Sequence, residues 1–190
     1  GDSVKAGDQQ DAKAVHQFES VRLLQQIQSF NQGIDPTFGE LPDKKTFIFA
    51  GAAADPNCRS QKSLENRIRK KKDAGAKFIQ TQMVMERENL IEFCEKIAKP
   101  LDIPVIAGVF LLKSYKNALF INKHVPGANI PESILNRLKY AKNPLEEGIQ
   151  IAAEQARDFF YIANGVHLMA VKTEHLIPEI LGKANLNLEY

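Results

Sequence analysis

PVIAGVFLL, residues 104–112, is a short apolar run that opens on a proline, with Asp102 just upstream. Three other runs share its character: TFIFAGAAA at 46–54, FIQTQMV at 78–84 and GVHLMAV at 165–171. Each is rich in branched or aromatic residues and bounded by Gly, Asp or Pro. Such runs read as strands buried on both faces of a parallel sheet. The segments between them carry helical periodicity, so the chain alternates βα units instead of hairpins. A closed (β/α)8 barrel takes eight strands and roughly 250 residues. Four runs in 190 residues predict an α/β fold amounting to half of such a TIM barrel, with an N-terminal part missing.

The intervening helices follow from spacing and punctuation. Phe18, Val21, Leu24, Ile27 and Phe30 recur every third residue and predict a helix over 15–32, stopped at Gly33. Residues 34–43, with Pro36, Gly39 and Pro42, read as a loop. A basic helix is expected over 60–73, an amphipathic one over 86–98 and a shorter one over 114–124. Pro131 is suited to open a helix running through Tyr140, and Pro144 one to about Ala163. Thr173 is placed to cap a last helix over 174–182, before a polar tail. Residues 1–190 thus read as one partial domain.

Bulk properties narrow the function. Hydrophobic residues make up 44% of the chain and charged residues 25%, with a net charge of +2. The signs are well mixed, so neither a nucleic-acid partner nor a membrane partner is indicated. No apolar run approaches the ~20 residues of a membrane span. Cys58 and Cys94 lie far apart and read as reduced thiols, which points to a cytoplasmic protein. The four histidines show no metal-ligand spacing, so no metal site is expected.

In parallel α/β folds ligands gather at the carboxyl ends of strands. The residues there are Asp55, Gln82, the stretch 110–113, Lys172 and Thr173. Gln82 is the most informative, because an amide inside an apolar strand must find partners. It is either a structural amide bridging neighbouring strands or an amide aimed at a heterocyclic ligand. His167, between Val166 and Leu168, reads first as a satisfied interior residue. The run RIRKKK at 67–72 reads first as a solvated helix face. No glycine-rich phosphate loop or nucleophile elbow is present.

Several segments carry a resemblance that spacing alone does not. GDSVKAGDQQDAKAVHQFESVRLL (1–24), AGAAADPNC (50–58), KKKDAGAKFIQTQ (70–82) and AGVFLLKSYKNALFINKHVPGANIP (107–131) resemble, in order, segments of the methylenetetrahydrofolate reductase family. HLMAV and LIPEIL, near the end, resemble the family's last βα unit. The resemblance implies the C-terminal half of a (β/α)8 barrel holding non-covalent FAD. It also implies an enzyme in which NAD(P)H reduces the flavin, which then passes hydride to 5,10-methylenetetrahydrofolate.

Residue by residue, the resemblance implies that Gly1 and Asp2 are the Gly-Asp pair ending the fourth strand, with Asp2 catalytic beside flavin and folate. His16, Gln17, Gly51 and Asp55 fall on flavin-contact positions. Arg67, Lys70 and Lys71 fall on the helix that meets the FAD phosphates and ribose, while Arg69 and Lys72 are left to solvent. Gln82 and Asn117 match folate-contact positions. Thr173 departs from the arginine of some members. The family's catalytic glutamate belongs to the missing strands, so the chain alone is expected to be inactive. The alternatives are a non-catalytic half-barrel that binds a partner chain or self-associates as a homo-oligomer, or another flavin or folate protein on the same scaffold.

Overall fold

A computed structural model describes residues 19–41 and 45–186. The chain runs α1 (Ser20–Asn31), β1 (Ile34–Asp35), β2 (Gly39–Glu40), β3 (Gly51–Ala54), α2 (Gln61–Asp73), β4 (Phe78–Met83) and α3 (Arg87–Phe93). It continues through β5 (Val105–Phe110), α4 (Tyr115–His124), α5 (Glu132–Tyr140), α6 (Pro144–Phe160), β6 (Gly165–Met169) and α7 (Ile177–Ala184). Strands β3, β4, β5 and β6 form one parallel sheet in that order. All four expected strands are therefore present, in the expected parallel arrangement, with helices flanking them.

The sheet is covered on one face. Ala54, Ile79, Val105, Ala107 and Val109 join Leu64 and Ile68 of α2, Phe93 of α3, Ala152 and Phe159 of α6 and Ile180 of α7 in one core. Full burial of a large aliphatic or aromatic side chain stabilises by about 1.5–3 kcal/mol. The opposite face carries Phe78, Gln80, Gln82, Ile106, Phe110, His167 and Met169, all only half-buried among the described residues. Burial on both faces was the expectation. The observed strands have a dry side and a half-open side, and the polar residues sit on the latter.

Helix boundaries follow local chemistry. Ser60 caps α2, its hydroxyl accepting the Ser63 N–H at 3.3 Å. Gly75, at φ +108°, ends that helix: its N–H reaches the Lys72 carbonyl and that of Ala76 reaches Lys71. Lys70, Lys71 and Lys72 fill the last turn, where the helix dipole favours cations. The helix α3 passes into one wider π turn over Cys94–Ala98.

Four local expectations are corrected. The run 46–54 becomes a strand only from Gly51, because Asn31 takes the upstream backbone. The Asn31 side chain donates to the Ile48 carbonyl at 3.0 Å and accepts from Ile48 N–H at 2.9 Å. Phe47 is left 94% exposed and Phe49 73% exposed. The loop expected over 34–43 contains a small antiparallel pair, β1 with β2, turned by the Asp35 carboxylate accepting from Thr37 and Phe38 N–H. Pro131 stands one residue before α5 instead of opening it. Thr173 caps nothing; its hydroxyl donates to the Ala170 carbonyl at 3.2 Å, and a short 3₁₀ turn precedes α7.

Three helices separate β5 from β6, and they divide the labour. The helix α6 packs on both strands and makes the crossover, whereas α4 and α5 build a second cluster above the carboxyl end of the sheet. Leu112, Ile121, Ile134, Leu138 and Met83 meet there. The second turn of α6 passes very close to the chain leaving β5: a Cβ on Gly148 would lie 1.8 Å from the Leu112 carbonyl oxygen. Only glycine permits that approach. Gly148→Ala should therefore lower unfolding stability by about 1–3 kcal/mol through overpacking, read by urea denaturation.

Candidate functional site

The strand β4 is irregular where the site forms. Its register against β5 pairs Gln80 with Ile106 and then Met83 with Gly108, so Thr81 and Gln82 together face Ala107. This is a bulge, a device that re-aims a side chain at the end of a strand. The buried Thr81 hydroxyl makes it possible. It donates to the Gln82 carbonyl at 2.7 Å and accepts the Gly108 N–H at 2.9 Å. A Cβ on Gly108 would stand 2.9 Å from the carbonyl oxygens of both Thr81 and Gln82, so β5 must carry glycine there.

Gln82 is thereby released from ladder duty. Its Oε1 accepts the Met83 N–H at 2.9 Å, and its Nε2 donates to the Pro126 carbonyl at 3.2 Å. Thr81 links the strands, the task that an amide at 82 was weighed for. The Gln82 amide is held at one edge and half-exposed at the other.

A cleft of about 460 Å³ opens at this end of the sheet, bounded by Ala53, Asp55, Arg67, Lys71, Gln82 and Met169 among others. The Lys71 ammonium donates to the Ala53 carbonyl at 2.6 Å. Lys77 N–H bonds the Ala50 carbonyl, so along β3 the even-numbered carbonyls turn toward β4 and that of Ala53 turns to the open edge. Lys71 therefore places charge at the edge of β3 that has no strand neighbour among the described residues. Burial, then the nearby Arg67 cation, hold the Lys71 ammonium below the usual lysine range. Arg67 itself donates to the Cys58 sulfur at 3.0 Å.

The loops above the cleft are knitted together. Asp55 accepts the Asn57 N–H at 2.9 Å, and Asn57 Nδ2 donates to the Gly127 carbonyl at 2.9 Å. Asn89 donates to Asn57 Oδ1 at 3.0 Å and to a Glu86 carboxylate oxygen at 3.3 Å. Residues 125–130, between α4 and α5, thus reach back across β4 to the loop after β3. The roles of Asn57, Asn89 and Thr81 escaped sequence reasoning, since the hydrogen-bond partners of an uncharged polar side chain leave no mark on the local pattern.

Of the residues singled out beforehand, Asp55, Arg67, Lys71 and Gln82 come together around the cleft. Lys70 lies in a second recess on the outer side of α2 with Lys62 and Asn66, and Arg67 borders both this recess and the cleft. Gly51 is at the opposite end of β3, where the Phe78 ring fills the space a Cβ would take, 2.3 Å away at the closest. Asn117 sits in the first turn of α4, its Oδ1 accepting the Lys113 N–H at 3.1 Å. Gly1, Asp2, His16 and Gln17 lie outside the described residues.

Within the basic run, Arg69 pairs with Glu65 at 2.6 Å on the surface. Lys72 was left to solvent and is instead engaged: it donates to the carbonyls of Leu101 and Asp102. His167 has a buried Nδ1 with no partner among the described residues. Those residues contain no group of three His, Cys, Asp or Glu side chains arranged to hold a metal ion, and no helix long and apolar enough to cross a membrane. Both cysteines are free.

The methylenetetrahydrofolate reductase family model matches residues 1–185. The chain belongs to the methylenetetrahydrofolate reductase family. It is 28% identical over 153 residues to methylenetetrahydrofolate reductase 2 of Saccharomyces cerevisiae, a match covering 72% of this chain and 25% of that protein. It is 26% identical over 127 residues to methylenetetrahydrofolate reductase 1 of Schizosaccharomyces pombe, covering 63% of this chain and 21% of that one. The matched region is thus about a quarter of those reductases' length. Among solved structures, an uncharacterized protein from Clostridium thermocellum that binds two copies of 5-methyl-5,6,7,8-tetrahydrofolic acid superposes with a TM-score of 0.55 at 19% identity. That match covers 71% of this chain and 51% of the other, and establishes a shared fold.

Within this reductase-family chain, the Thr81 hydroxyl is the group on which the bulge rests. Thr81→Val should leave the buried Gly108 N–H without an acceptor and cost about 1–3 kcal/mol, while Thr81→Ser should cost less than about 1 kcal/mol. Chemical denaturation of the two variants checks this.

Proposed function

We propose that this chain supplies the C-terminal half of the catalytic barrel of a flavin-dependent methylenetetrahydrofolate reductase, which takes electrons from NAD(P)H and forms 5-methyltetrahydrofolate. The observation that carries the reading is the cleft joining two cations, Arg67 and Lys71, to the Gln82 amide across the end of β3. Two like charges held close together, one of them half-buried, are relieved by an anion, and a pyrophosphate is an anion of suitable shape. Ala53 and Ala54, both small, line the cleft between the cations and the amide. The residues present therefore fit a flavin dinucleotide.

Bound FAD would supply the hydride relay. The chain's own groups bind and orient. Arg67 and Lys71 hold the phosphates, with Lys70 reaching them from the outer side of α2. Gln82 offers one acceptor and one donor to the edge of a pterin, and Asn117 contacts the substrate from α4. Gly1, Asp2, His16, Gln17 and Asp55 complete the flavin contacts by family resemblance, while Gly51, at the far end of β3, stands outside the cleft. Asp2 there places negative charge beside the reacting rings. The free thiols and the small-molecule substrate fit a cytoplasmic enzyme.

Substitutions in the whole protein separate the two ends of the cleft. Arg67→Ala with Lys71→Ala should lower FAD content, read by absorbance at the flavin bands. Gln82→Ala should raise the KM for methylenetetrahydrofolate about tenfold, the size of one well-placed hydrogen bond, with FAD content unchanged. Full flavin retention in the first variant and unchanged kinetics in the second would remove the reading.

The open sheet favours a second reading in one respect. Strands β3 and β6 each have one neighbour among the described residues, and the inner face is half-exposed. Parallel sheets are ordinarily covered on both faces. In this second reading the chain is a non-catalytic half-barrel, completed by a partner chain or a second copy. Expressed by itself, the 190-residue chain should then self-associate in sedimentation. A folded monomer argues against this reading.

A further inference from the structure

The strap of residues 125–130 meets the site through the Pro126 and Gly127 carbonyls, each of which accepts from a side chain of another loop or strand. Gly127 is at φ +80°, a conformation open to glycine, and a Cβ there would lie 2.6 Å from an Asp55 carboxylate oxygen. The far side of the strap is anchored twice. Asn122 donates to the Ile130 carbonyl at 2.9 Å and accepts the Ile130 N–H at 2.8 Å, while Ile130 itself is buried in the cluster of α4 and α5. On the near side the strap is held by Asn57 Nδ2 on the Gly127 carbonyl and by Gln82 Nε2 on the Pro126 carbonyl.

Asn57 is itself pinned at both ends. Its N–H is tied to Asp55, and its Oδ1 accepts from Asn89. With Oδ1 committed as an acceptor, Nδ2 must be the atom that meets the Gly127 carbonyl. The donor-acceptor order then passes down the strap. The Pro126 carbonyl can only accept, so it receives Nε2 of Gln82, and Oε1 of Gln82 takes the Met83 N–H. A glutamine amide turned the other way would set oxygen against oxygen and N–H against N–H.

We propose that Asn57 is a positioning residue for the Gln82 amide. By holding the Gly127 carbonyl it places the Pro126 carbonyl against Gln82, and so decides in which sense that amide offers its free donor and acceptor to a pterin. The inference deepens the folate reading above and rests on it for the ligand. Its substance is that recognition is set by a loop after β3 acting through a strap from beyond β5. Asn57 touches no ligand in this scheme. Asn57→Asp is the informative variant: it keeps the shape and the acceptor for Asn89 but cannot donate to Gly127.

The test is a double-mutant cycle in the whole protein, with 5-methyltetrahydrofolate as the probe in equilibrium titration. Asn57→Ala and Asn57→Asp should each weaken binding about tenfold, as expected for one lost hydrogen bond. In a Gln82→Ala background the same substitutions should add less than about twofold, because the group they position is gone. Unchanged affinity in both single variants, or a full extra loss in the Gln82→Ala background, overturns the proposal. If Gln82→Ala alone leaves binding unchanged, the folate reading fails separately. The side-chain amide signals of Gln82, seen by selective ¹⁵N-glutamine labelling, then decide: a shift toward free-glutamine values in Asn57→Asp upholds the positioning, and no shift overturns it.

Discussion

The packing of helices against one face of a parallel sheet is the constraint on which the rest depends. Ile68, Ile79, Phe93, Ala107, Val109 and Ala152 have essentially no exposure, and they come from α2, α3, α6 and two adjacent strands. Burial on that side fixes which residues of every strand point the other way, because side chains alternate with a period of two. Gln80, Gln82 and His167 are thereby committed to the open face. The site inherits its polar groups from the alternation that builds the core.

The bulge in β4 is the one departure from that alternation, and it sits where the chemistry is. In a regular strand the Thr81 carbonyl would accept the Gly108 N–H, as the ladder begun by Ile79 N–H on the Pro104 carbonyl requires. Here the Thr81 hydroxyl accepts the Gly108 N–H in the ladder's place. The exchange keeps a buried donor satisfied while freeing the next residue to turn. Gly108 and Gly148 serve the same end of the molecule, one admitting the bulge and the other admitting α6 against the chain above β5. Close backbone approach is thus concentrated at the carboxyl ends of the strands. The insertion of α4 and α5 there converts a short connection into a roof, whose strap meets the loop after β3.

Much of the architecture was legible from the residues. The runs at 78–84 and 104–112 became β4 and β5, which have neighbours on both sides in the sheet, and the run at 165–171 became β6 by pairing along β5. The run at 46–54 did not extend as far as its composition implied, because β3 is an edge and Asn31 competes for the backbone of Ile48. Ser60, Gly75 and Pro144 acted as local punctuation, which needs no distant partner. Pro131 and Thr173 did not take the places read for them, since each depends on where the preceding loop delivers the chain. In the cleft, Asp55, Arg67, Lys71 and Gln82 were named beforehand and converge, whereas Lys70, one residue from Lys71, faces a different recess. A helix turns about 100° per residue, so neighbours in a basic run do not share a face.

What the sequence determined by itself is the alternation of strand and helix, the family, and the residue types available at the strand ends. Those follow from periodicity, capping and motif, all of which act over a few residues. Only the tertiary structure decided that Thr81 rather than Gln82 joins two strands. It also decided that Lys72 clasps a distant turn, and that Asn57 donates to a carbonyl seventy positions away. Hydrogen-bond partners of polar side chains depend on which backbone groups remain unpaired once the sheet and helices have formed. That remainder is a property of the assembled fold, with no counterpart in local sequence.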